Sequence, residues 1–296
     1  MKVQVILIEA RGGLGNQLFL LPVADKISRI VDSHVYFVEM DKHHKSSSVR
    51  LDMDFISEMK LSFGSQILKY LIKLFRRYPA FFSKLRICVV IDEQEAASLL
   101  LDGLPWRQGT LFTVVSGYFA DFNFLHQSNL LQNGFRVLKP TQDYLECEQT
   151  LFNEPFIAVH LRFGDFMRDP VAHGVLDYEY YRNAVQEIDR RMPGDFPIYL
   201  FSDQPELISQ FLLNDNRVHI VETGNMKAIE VLNLISLADA LILSLSTLGF
   251  WAGILSKKAE FVVYPSENPK GKPFIENVPS AWIALQPIWL RKSRFG

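Results

Sequence analysis

The stretch Phe156–Asp165 reads FIAVHLRFGD, and it decides the fold class because an apolar run passes directly into a polar end. Such a run is typical of a strand that is buried on both faces of a parallel sheet. From Phe156 to Tyr264, short apolar runs alternate with amphipathic stretches of helical spacing. The alternation predicts strands connected by helices, and therefore an α/β fold with a parallel sheet.

The N-terminal half begins in the same way, with a predicted strand at Val3–Ile8 and a predicted helix at Asn16–Val31. It then becomes less regular, and the polar segment Asp41–Asp54 is predicted to be a loop. The Lys139–Pro140 pair interrupts the pattern.

We therefore predict two Rossmann-like domains that face each other across a cleft, residues 1–150 and residues 151–296. A final helix is predicted at Ala281–Leu290 and is expected to pack back on the N-terminal domain.

Composition excludes several classes of protein. A formal net charge of -2 gives no overall field that favours nucleic acid. Two cysteines provide neither a disulfide framework nor a CxxC metal pair, which favours a reducing compartment. The apolar run Met1–Glu9 is shorter than the ~20 residues of a membrane span, and it is interpreted as a buried strand.

The first candidate site is the glycine loop Arg11–Leu18, RGGLGNQL, which follows a strand and opens a helix. Gly13 and Gly15 permit close approach of a ligand to the backbone, and the helix N-terminus favours an anion. A nicotinamide-dependent oxidoreductase is disfavoured because Leu18 replaces the third small residue of a dinucleotide fingerprint. A plain strand–helix turn remains an alternative.

The second candidate site is the basic strand end. Alternation along the strand places His160 and Arg162 on one side, and a guanidinium at a strand end suits capture of a phosphate. Asp165 is positioned to orient Arg162 or a ligand hydroxyl. A structural Arg162–Asp165 ion pair and a buried core role for His160 stay open. The spacing of His160 and Asp165 does not fit a metal site.

Two further strand ends carry polar groups. Ser244 follows a buried strand, and Ser246 or Thr247 is a natural N-cap for the next helix, whose N-terminus would seat a second phosphate. An ordinary capped helix is the alternative. Ser202 and Asp203 end another strand, where Asp203 could accept from a ribose or purine group or simply cap a helix. A diphosphate bound between the helix N-terminus at Ser246 and Arg162 would need no divalent cation.

Three motifs together resemble the α-1,2-fucosyltransferases of glycosyltransferase family 11. Gly13–Phe19 resembles the opening motif Gly-Leu-Gly-Asn-Gln-Leu-Phe of that family, and His160–Phe166 resembles its motif His-x-Arg-Arg-Gly-Asp-Tyr. Ser244–Trp251 resembles its Ser-Asn-Ser-Thr-Phe-Ser-Trp-Trp. Phe163 replaces the family's second arginine, and Leu245 replaces its asparagine.

The resemblance implies a GT-B fold, with GDP-fucose in the C-terminal domain and a glycan acceptor against the N-terminal domain. It implies inverting transfer of fucose to a galactose 2-hydroxyl in O-antigen or polysaccharide synthesis, in the cytoplasm, without a cofactor or metal. A transferase for another GDP-sugar and a non-catalytic nucleotide-sugar-binding protein are the alternatives.

In the implied reaction, Arg162 would stabilise charge on the leaving diphosphate, and Asn16 would fix the donor sugar or the leaving oxygen. Asp165 and Asp177 are the candidate general bases. The predicted donor-binding residues are Gly13, Gly15, His160, Arg162, Ser202, Asp203, Ser244, Ser246 and Thr247.

Residues 66–86 mix apolar side chains with cations and contain no acid. We interpret them first as a core-packing helix with a solvated basic face. A basic amphipathic helix on an anionic membrane is the alternative, which would suit a lipid-linked acceptor and a peripheral location on the inner membrane.

Overall fold

The computed structural model describes residues 4–31, 35–40, 61–63, 66–101, 109–125, 137, 140–151, 154–210 and 215–290. The chain divides into two compact units, Met1–Leu138 and Lys139–Gly296. In each unit the described strands form one sheet, in which every described pairing is parallel.

The sheet of the N-terminal unit has the strand order β3-β2-β1-β5-β4. Its strands are β1 (Val5–Ala10), β2 (Val35–Glu39), β3 (Leu61–Phe63), β4 (Cys88–Ile91) and β5 (Phe112–Val115). The helices are α1 (Leu14–Val31), α2 (Gln66–Arg77), α3 (Pro79–Lys84), α4 (Glu93–Leu101) and α5 (Phe122–Leu125). Ile6, Leu7 and Ile8 of the central strand are fully buried, as expected for a strand covered on both faces.

Helices α2 and α3 cover one face of this sheet. Ile72 and Phe75 of α2 are buried in a cluster with Leu7 of β1 and Val114 of β5. The ring of Phe82 on α3 meets the ring of Phe75 edge-on, with centroids 5.0 Å apart. Aromatic packing of this kind fixes both helices on the sheet.

The sheet of the C-terminal unit has the order β11-β10-β9-β6-β7-β8. Its strands are β6 (Ile157–Leu161), β7 (Ile198–Ser202), β8 (Val218–Ile220), β9 (Ala240–Ile242), β10 (Phe261–Pro265) and β11 (Ile283–Leu285). The helices are α6 (Gln142–Leu151), α7 (Pro170–His173), α8 (Tyr178–Arg191), α9 (Ala228–Ser236) and α10 (Thr247–Leu255).

The core of the C-terminal unit lies between β6 and α8. Ile157, Val159 and Leu161 of β6 share a buried cluster with Tyr180 and Tyr181 of α8. The buried Tyr180 hydroxyl donates to the Leu243 carbonyl oxygen at 3.1 Å, just beyond β9. The strand ends around β6 are therefore held by both apolar packing and a buried hydrogen bond.

The prediction of a final helix at Ala281–Leu290 is wrong. Ile283–Leu285 forms β11, which pairs in parallel with β10, and Trp289 bridges to Leu176. Pro287 explains the difference, because a proline inside a helix removes a backbone donor and clashes with the preceding turn.

Other departures are smaller. The predicted helix after β7 is a 3-10 segment, Pro205–Gln210, as far as the described residues extend. Strands β3 and β4 were not predicted from the sequence. The predicted loop Asp41–Asp54 lies outside the described residues.

Helix α6 belongs with the second unit, whereas the sequence-based division at residue 150 counts it with the first. Just before α6, the backbone N–H and the hydroxyl of Thr141 donate to the carboxylate of Glu230, at 2.7 and 3.1 Å. Asn233 Nδ2 donates to the Tyr144 hydroxyl oxygen at 2.8 Å. These bonds join α6 to α9, the helix that carries both Glu230 and Asn233.

Two further features concern the cysteines and the helices. Cys88 and Cys147 are both free thiols. Among the helices that the structure describes, none has the length and apolar character needed to cross a bilayer.

Candidate functional site

In the C-terminal sheet, the direction in which the chain adds strands reverses at β6. From β6 the chain continues to β7 and β8 on one side, and later to β9, β10 and β11 on the other. In open parallel sheets, ligands bind outside the carboxyl ends of the strands at such a switch point. The residues that end β6, β7 and β9 are therefore the candidates for ligand binding and catalysis.

Arg162 follows β6 and is held by Asp203, which follows the neighbouring strand β7. Its Nη1 forms an ion pair with Asp203 Oδ2, and the other carboxylate oxygen, Oδ1, accepts from the Phe163 backbone N–H at 3.0 Å. The guanidinium carbon also lies 5.2 Å from the centre of the Phe166 ring. Arg162 is thus fixed in orientation while 30% of its side chain stays exposed.

The structure assigns Arg162 a different anchor from the one considered in the sequence. The Asp203 carboxylate holds Arg162 and the Phe163 amide, so its suggested contact with the nucleoside stays a prediction. Asp165 lies in the 3-10 segment Gly164–Arg168, and its side chain is outside the described atoms.

Gly164 makes the Arg162–Asp203 pairing sterically feasible. Its φ is 35°, a conformation that favours glycine, and a Cβ at this position would clash with Asp203 Oδ2. The same Cβ would also lie 3.5 Å from the guanidinium carbon of Arg162. A side chain at this position would therefore displace the anchor of Arg162.

His160 spans the switch point from β6 to β9. It is buried, and its Nδ1 lies 2.9 Å from Ser244 Oγ. Burial, together with the positive charge of Arg162, lowers the pKa of His160 to about 3. The imidazole is therefore neutral near pH 7, and it acts as a fixed hydrogen-bonding group between the two strand ends.

Helix α10 begins directly beside His160. A Cβ on Gly249, in its first turn, would lie only 2.9 Å from His160 Nδ1, so the glycine permits this close approach. Ser246 is the N-cap residue, as the sequence suggested, but its side chain makes no capping hydrogen bond. The N-terminus of α10 therefore keeps its capacity to bind an anion, and Ser246 and the half-buried Thr247 lie at that end.

Ser202 and Asp177 are engaged in supporting structure. Buried Ser202 accepts from the Gln204 backbone N–H at 3.0 Å, which shapes the turn that carries Asp203. Buried Asp177 caps α8 by accepting from the Glu179 N–H at 3.2 Å. A base role for Asp177 stays a prediction, and its burial as a cap favours a structural role.

The glycine loop of the N-terminal unit turns at Gly12, which has a φ of 72°. Gln17 Nε2 donates to the Gly12 carbonyl oxygen at 2.9 Å, and a Cβ on Gly12 would clash with the amide of Asn16. Asn16 therefore lies against the loop in the first turn of α1. Contacts of Asn16, Gly13 and Gly15 with a donor stay predictions.

A second polar cluster, which the sequence did not predict, lies at the switch point of the N-terminal sheet, between β1 and β5. The side chain of Glu9 is fully buried, and its Oε2 accepts from Arg11 Nε at 3.1 Å, Arg76 Nη1 at 2.7 Å and Ser116 Oγ at 3.0 Å. Its Oε1 is also buried and receives no hydrogen bond from the described residues. We call these four residues the Glu9 cluster.

Two members of the Glu9 cluster could be recognised from the sequence. Glu9 is a lone charge within the apolar run of β1, and Arg11 directly precedes the glycines. Arg76 could not be recognised, because it lies 67 residues after Glu9 in the sequence, on the crossover helix α2.

Residues 139–285 match the family model of glycosyl transferase family 11. The resemblance that the motifs at His160–Phe166 and Ser244–Trp251 indicated is therefore confirmed for the C-terminal unit, and this is a family of fucosyltransferases. The motif Gly13–Phe19 lies outside the matched residues.

Solved structures of glycosyltransferases share the fold of the whole chain. The fucosyltransferase NodZ from Bradyrhizobium is 12% identical, with a TM-score of 0.51 over 86% of this chain and 94% of that chain. A glycosyl transferase family 9 protein from Veillonella parvula is also 12% identical, with a TM-score of 0.52 over 100% and 90%. A search of curated proteins gives no significant match. The two parallel-sheet units and these likenesses give the chain a GT-B-type fold, as predicted.

The C-terminal unit thus combines a fixed cation, Arg162, and the N-terminus of α10 at one edge of its sheet. Both attract the oxygens of a phosphate group, and the cation does so bidentately. Within the described part of the chain, no three His, Cys, Asp or Glu side chains are grouped to hold a metal ion.

Proposed function

We propose that this protein transfers L-fucose from GDP-β-L-fucose to the 2-hydroxyl of a galactoside in a glycan, with inversion at the fucose C1. The observation that carries the proposal is Arg162, held by Asp203 at the switch point of the family 11 unit. The neighbouring end of α10, where Ser246 makes no side-chain cap, supports it. A NodZ α-1,6-fucosyltransferase solved after soaking with GDP-fucose is 13% identical, with a TM-score of 0.52 over 86% of this chain and 93% of that chain.

The chemistry requires stabilisation of a leaving diphosphate. The acceptor hydroxyl attacks C1 of fucose on the face opposite GDP, and the bond from C1 to the β-phosphate oxygen breaks. The hydroxyl proton passes to a base, for which Asp165 and Asp177 are the candidates. Arg162 and the N-terminus of α10 bind the charge that accumulates on the phosphate, and this lowers the barrier because the charge is greatest in the transition state. We propose that no divalent cation is needed.

The acceptor is proposed to bind the N-terminal unit at the Glu9 cluster. Arg11 and Arg76 both donate to the same buried oxygen of Glu9, which fixes them while 41% and 42% of their side chains stay exposed. Guanidinium groups held in this way present further N–H donors to sugar oxygens. The position of the cluster at a switch point of the sheet supports this assignment.

The acceptor is proposed to be an oligosaccharide or a lipid-linked glycan of O-antigen or polysaccharide synthesis, modified in the cytoplasm. The free thiols Cys88 and Cys147 are consistent with a reducing compartment.

The deciding experiment incubates the protein with GDP-fucose and a panel of β-galactosides, followed by linkage analysis of the product. We expect α-1,2-linked fucose, and equal rates with and without EDTA. Transfer only from another GDP-sugar, such as GDP-mannose in a parallel reaction, would reassign the donor. GDP binding without product from any donor would indicate a non-catalytic nucleotide-sugar-binding protein, and activity that EDTA abolishes and Mn²⁺ restores would contradict metal independence.

A further inference from the structure

The surface of α2 and α3 that faces away from the sheet is strongly apolar. Six of the twelve large hydrophobic side chains that are exposed in the described part of the chain lie between Ile67 and Leu85. They are Ile67, Tyr70, Leu74, Tyr78, Phe81 and Leu85. We call this set the α2–α3 face. Apolar side chains grouped so closely on a surface mark an interaction site.

Helical geometry makes the α2 part of this face continuous. Ile67, Tyr70 and Leu74 are spaced by three and four residues, so they form one line along the helix. Ile72 and Phe75 are buried on the opposite side, where they pack on the sheet. The inner face of α2 therefore packs on the sheet, whereas the outer apolar line makes no contribution to the core.

The charge around the face has a single sign. Residues 66–91 contain no Asp or Glu, and the cations Lys73, Arg77, Lys84 and Arg86 are all exposed. Lys73 Nζ lies 5.9 Å from the ring centre of Tyr70, and the Arg77 guanidinium lies 5.6 Å from that of Tyr78. The cations are thus interleaved with the apolar groups, although the whole chain has a formal net charge of -2.

We infer that the α2–α3 face docks the protein on an anionic membrane, with its apolar side chains in the headgroup boundary and its cations against lipid phosphates. A partner protein would have to match four cations with acids of its own, whereas an anionic bilayer provides negative charge and apolar depth at once. Tyr70 and Tyr78 suit the interface because each has an apolar ring and a polar tip.

The inference deepens the proposed function and rests on it for its biological meaning. Arg76 of α2 binds Glu9 and thereby joins the docking helix to the Glu9 cluster, the proposed acceptor subsite. A protein held on the membrane by α2 would meet acceptors that are themselves attached to lipid. The partner class is therefore an anionic lipid surface, and the substrate class is a lipid-linked glycan.

The test measures co-sedimentation of the full chain with phosphatidylcholine vesicles, with and without phosphatidylglycerol, at about 50 mM and about 500 mM salt. We expect binding to the anionic vesicles at low salt and a large loss at high salt. Lys73→Gln/Arg77→Gln should lower the partition coefficient on anionic vesicles by about 25-fold, since each cation near the surface contributes about fivefold. Ile67→Ser/Leu74→Ser should lower it by roughly tenfold through lost apolar contact.

Matched variants on the C-terminal unit serve as controls. Lys270→Gln/Lys272→Gln removes two exposed cations from a loop, and Leu145→Ser/Ile220→Ser removes two exposed apolar side chains. Both pairs should bind anionic vesicles within about twofold of the unchanged protein. Fucosyl transfer to a soluble galactoside should be the same in all four variants, because none of the substituted residues lies in the proposed site.

Absent binding to anionic vesicles would overturn the inference, as would binding that both α2 double variants leave intact. A dimer in solution that Ile67→Ser/Leu74→Ser dissociates, without vesicle binding, would assign the face to a second copy instead. Vesicle binding without any transfer would leave the docking inference standing and defeat the proposed function. Transfer to soluble galactosides without vesicle binding would support the proposed function and defeat the docking inference.

Discussion

The two units place polar side chains at the same topological position but use opposite chemistry. At the switch point of the C-terminal sheet, a cation faces outward and its carboxylate partner Asp203 serves as the anchor. At the N-terminal switch point, a fully buried carboxylate, Glu9, lies at the centre, and arginines surround it. The first arrangement suits a diphosphate, and the second suits the many hydroxyl groups of a sugar acceptor.

The largest expected effect tests the C-terminal side. Arg162→Ala should reduce the transfer rate by about 10²–10³, because the charge on the leaving diphosphate loses its fixed cation. The melting temperature should change by only a few degrees, since Arg162 is partly exposed. Product formation and thermal unfolding measure the two quantities.

Arg190→Ala is the control for Arg162, because Arg190 is exposed on α8 and pairs with Glu187. Transfer should be unchanged in this variant. Equal activity in Arg162→Ala would remove Arg162 from the mechanism and end the assignment of the diphosphate to this switch point.

The proposed separation of the donor site from the acceptor site is tested at Glu9. Glu9→Gln should raise the acceptor KM roughly tenfold, because hydrogen bonds to a charged group contribute about 1.5–3 kcal/mol and Arg11 and Arg76 lose their common anchor. GDP affinity, measured by calorimetry, should stay within about twofold.

Glu39→Gln provides the matched control, since Glu39 ends the neighbouring strand β2 and pairs in register with Ala10 rather than Glu9. It should leave the acceptor KM unchanged. A loss of GDP affinity in Glu9→Gln as large as the change in acceptor KM would break the proposed separation of the two sites.

A smaller effect is expected at the glycine beneath the Arg162–Asp203 pair. Gly164→Ala should lower the free energy of unfolding by about 1–3 kcal/mol, because alanine must adopt a positive φ and its Cβ meets Asp203. Gly224→Ala, at a position where a Cβ meets nothing within 4 Å, should shift stability by less than about 1 kcal/mol. Chemical denaturation compares them, and equal shifts would show that Gly164 is not required for the pairing.

The last expected effect is confined to acidic pH. Because burial lowers the pKa of His160 to about 3 in the folded state, from an ordinary value of 6.5, the unfolded chain takes up a proton first as pH falls. Stability from this residue is present above about pH 6.5 and is lost toward pH 3, with a slope of up to about 1.4 kcal/mol per pH unit. His160→Gln should flatten the dependence of unfolding free energy on pH in this range. An unchanged slope in His160→Gln would contradict a neutral, buried His160.

The sequence predicts most of the C-terminal unit because strands such as β6 and β9 are buried on both faces and leave nearly continuous apolar runs. It does not predict β3, since three residues carry too little pattern. β4 was also missed, because its apolar run Cys88–Ile91 follows an apolar, basic helical stretch without a clear change in composition.

For the site, the motifs locate three residues at element ends: His160 near the end of β6, Arg162 directly after β6, and Ser246 directly before α10. They do not locate the anchor of Arg162, because Asp165 is closer in sequence while strand adjacency brings in Asp203 from 41 residues away. Arg76 was missed for the same reason. Local pattern thus identifies the residues at strand ends, whereas their partners depend on which strands and helices become neighbours.

The buried carboxylate of Glu230 has a practical consequence for dissecting the protein. It accepts both donors of Thr141 as well as the Lys227 backbone N–H, so it ties the chain just before α6 to the start of α9. A fragment that starts at residue 139 retains these bonds, whereas one that starts at residue 152 leaves a buried charge short of two donors, at a cost of about 1–3 kcal/mol for each. Separate expression of the family 11 unit should therefore begin before Thr141.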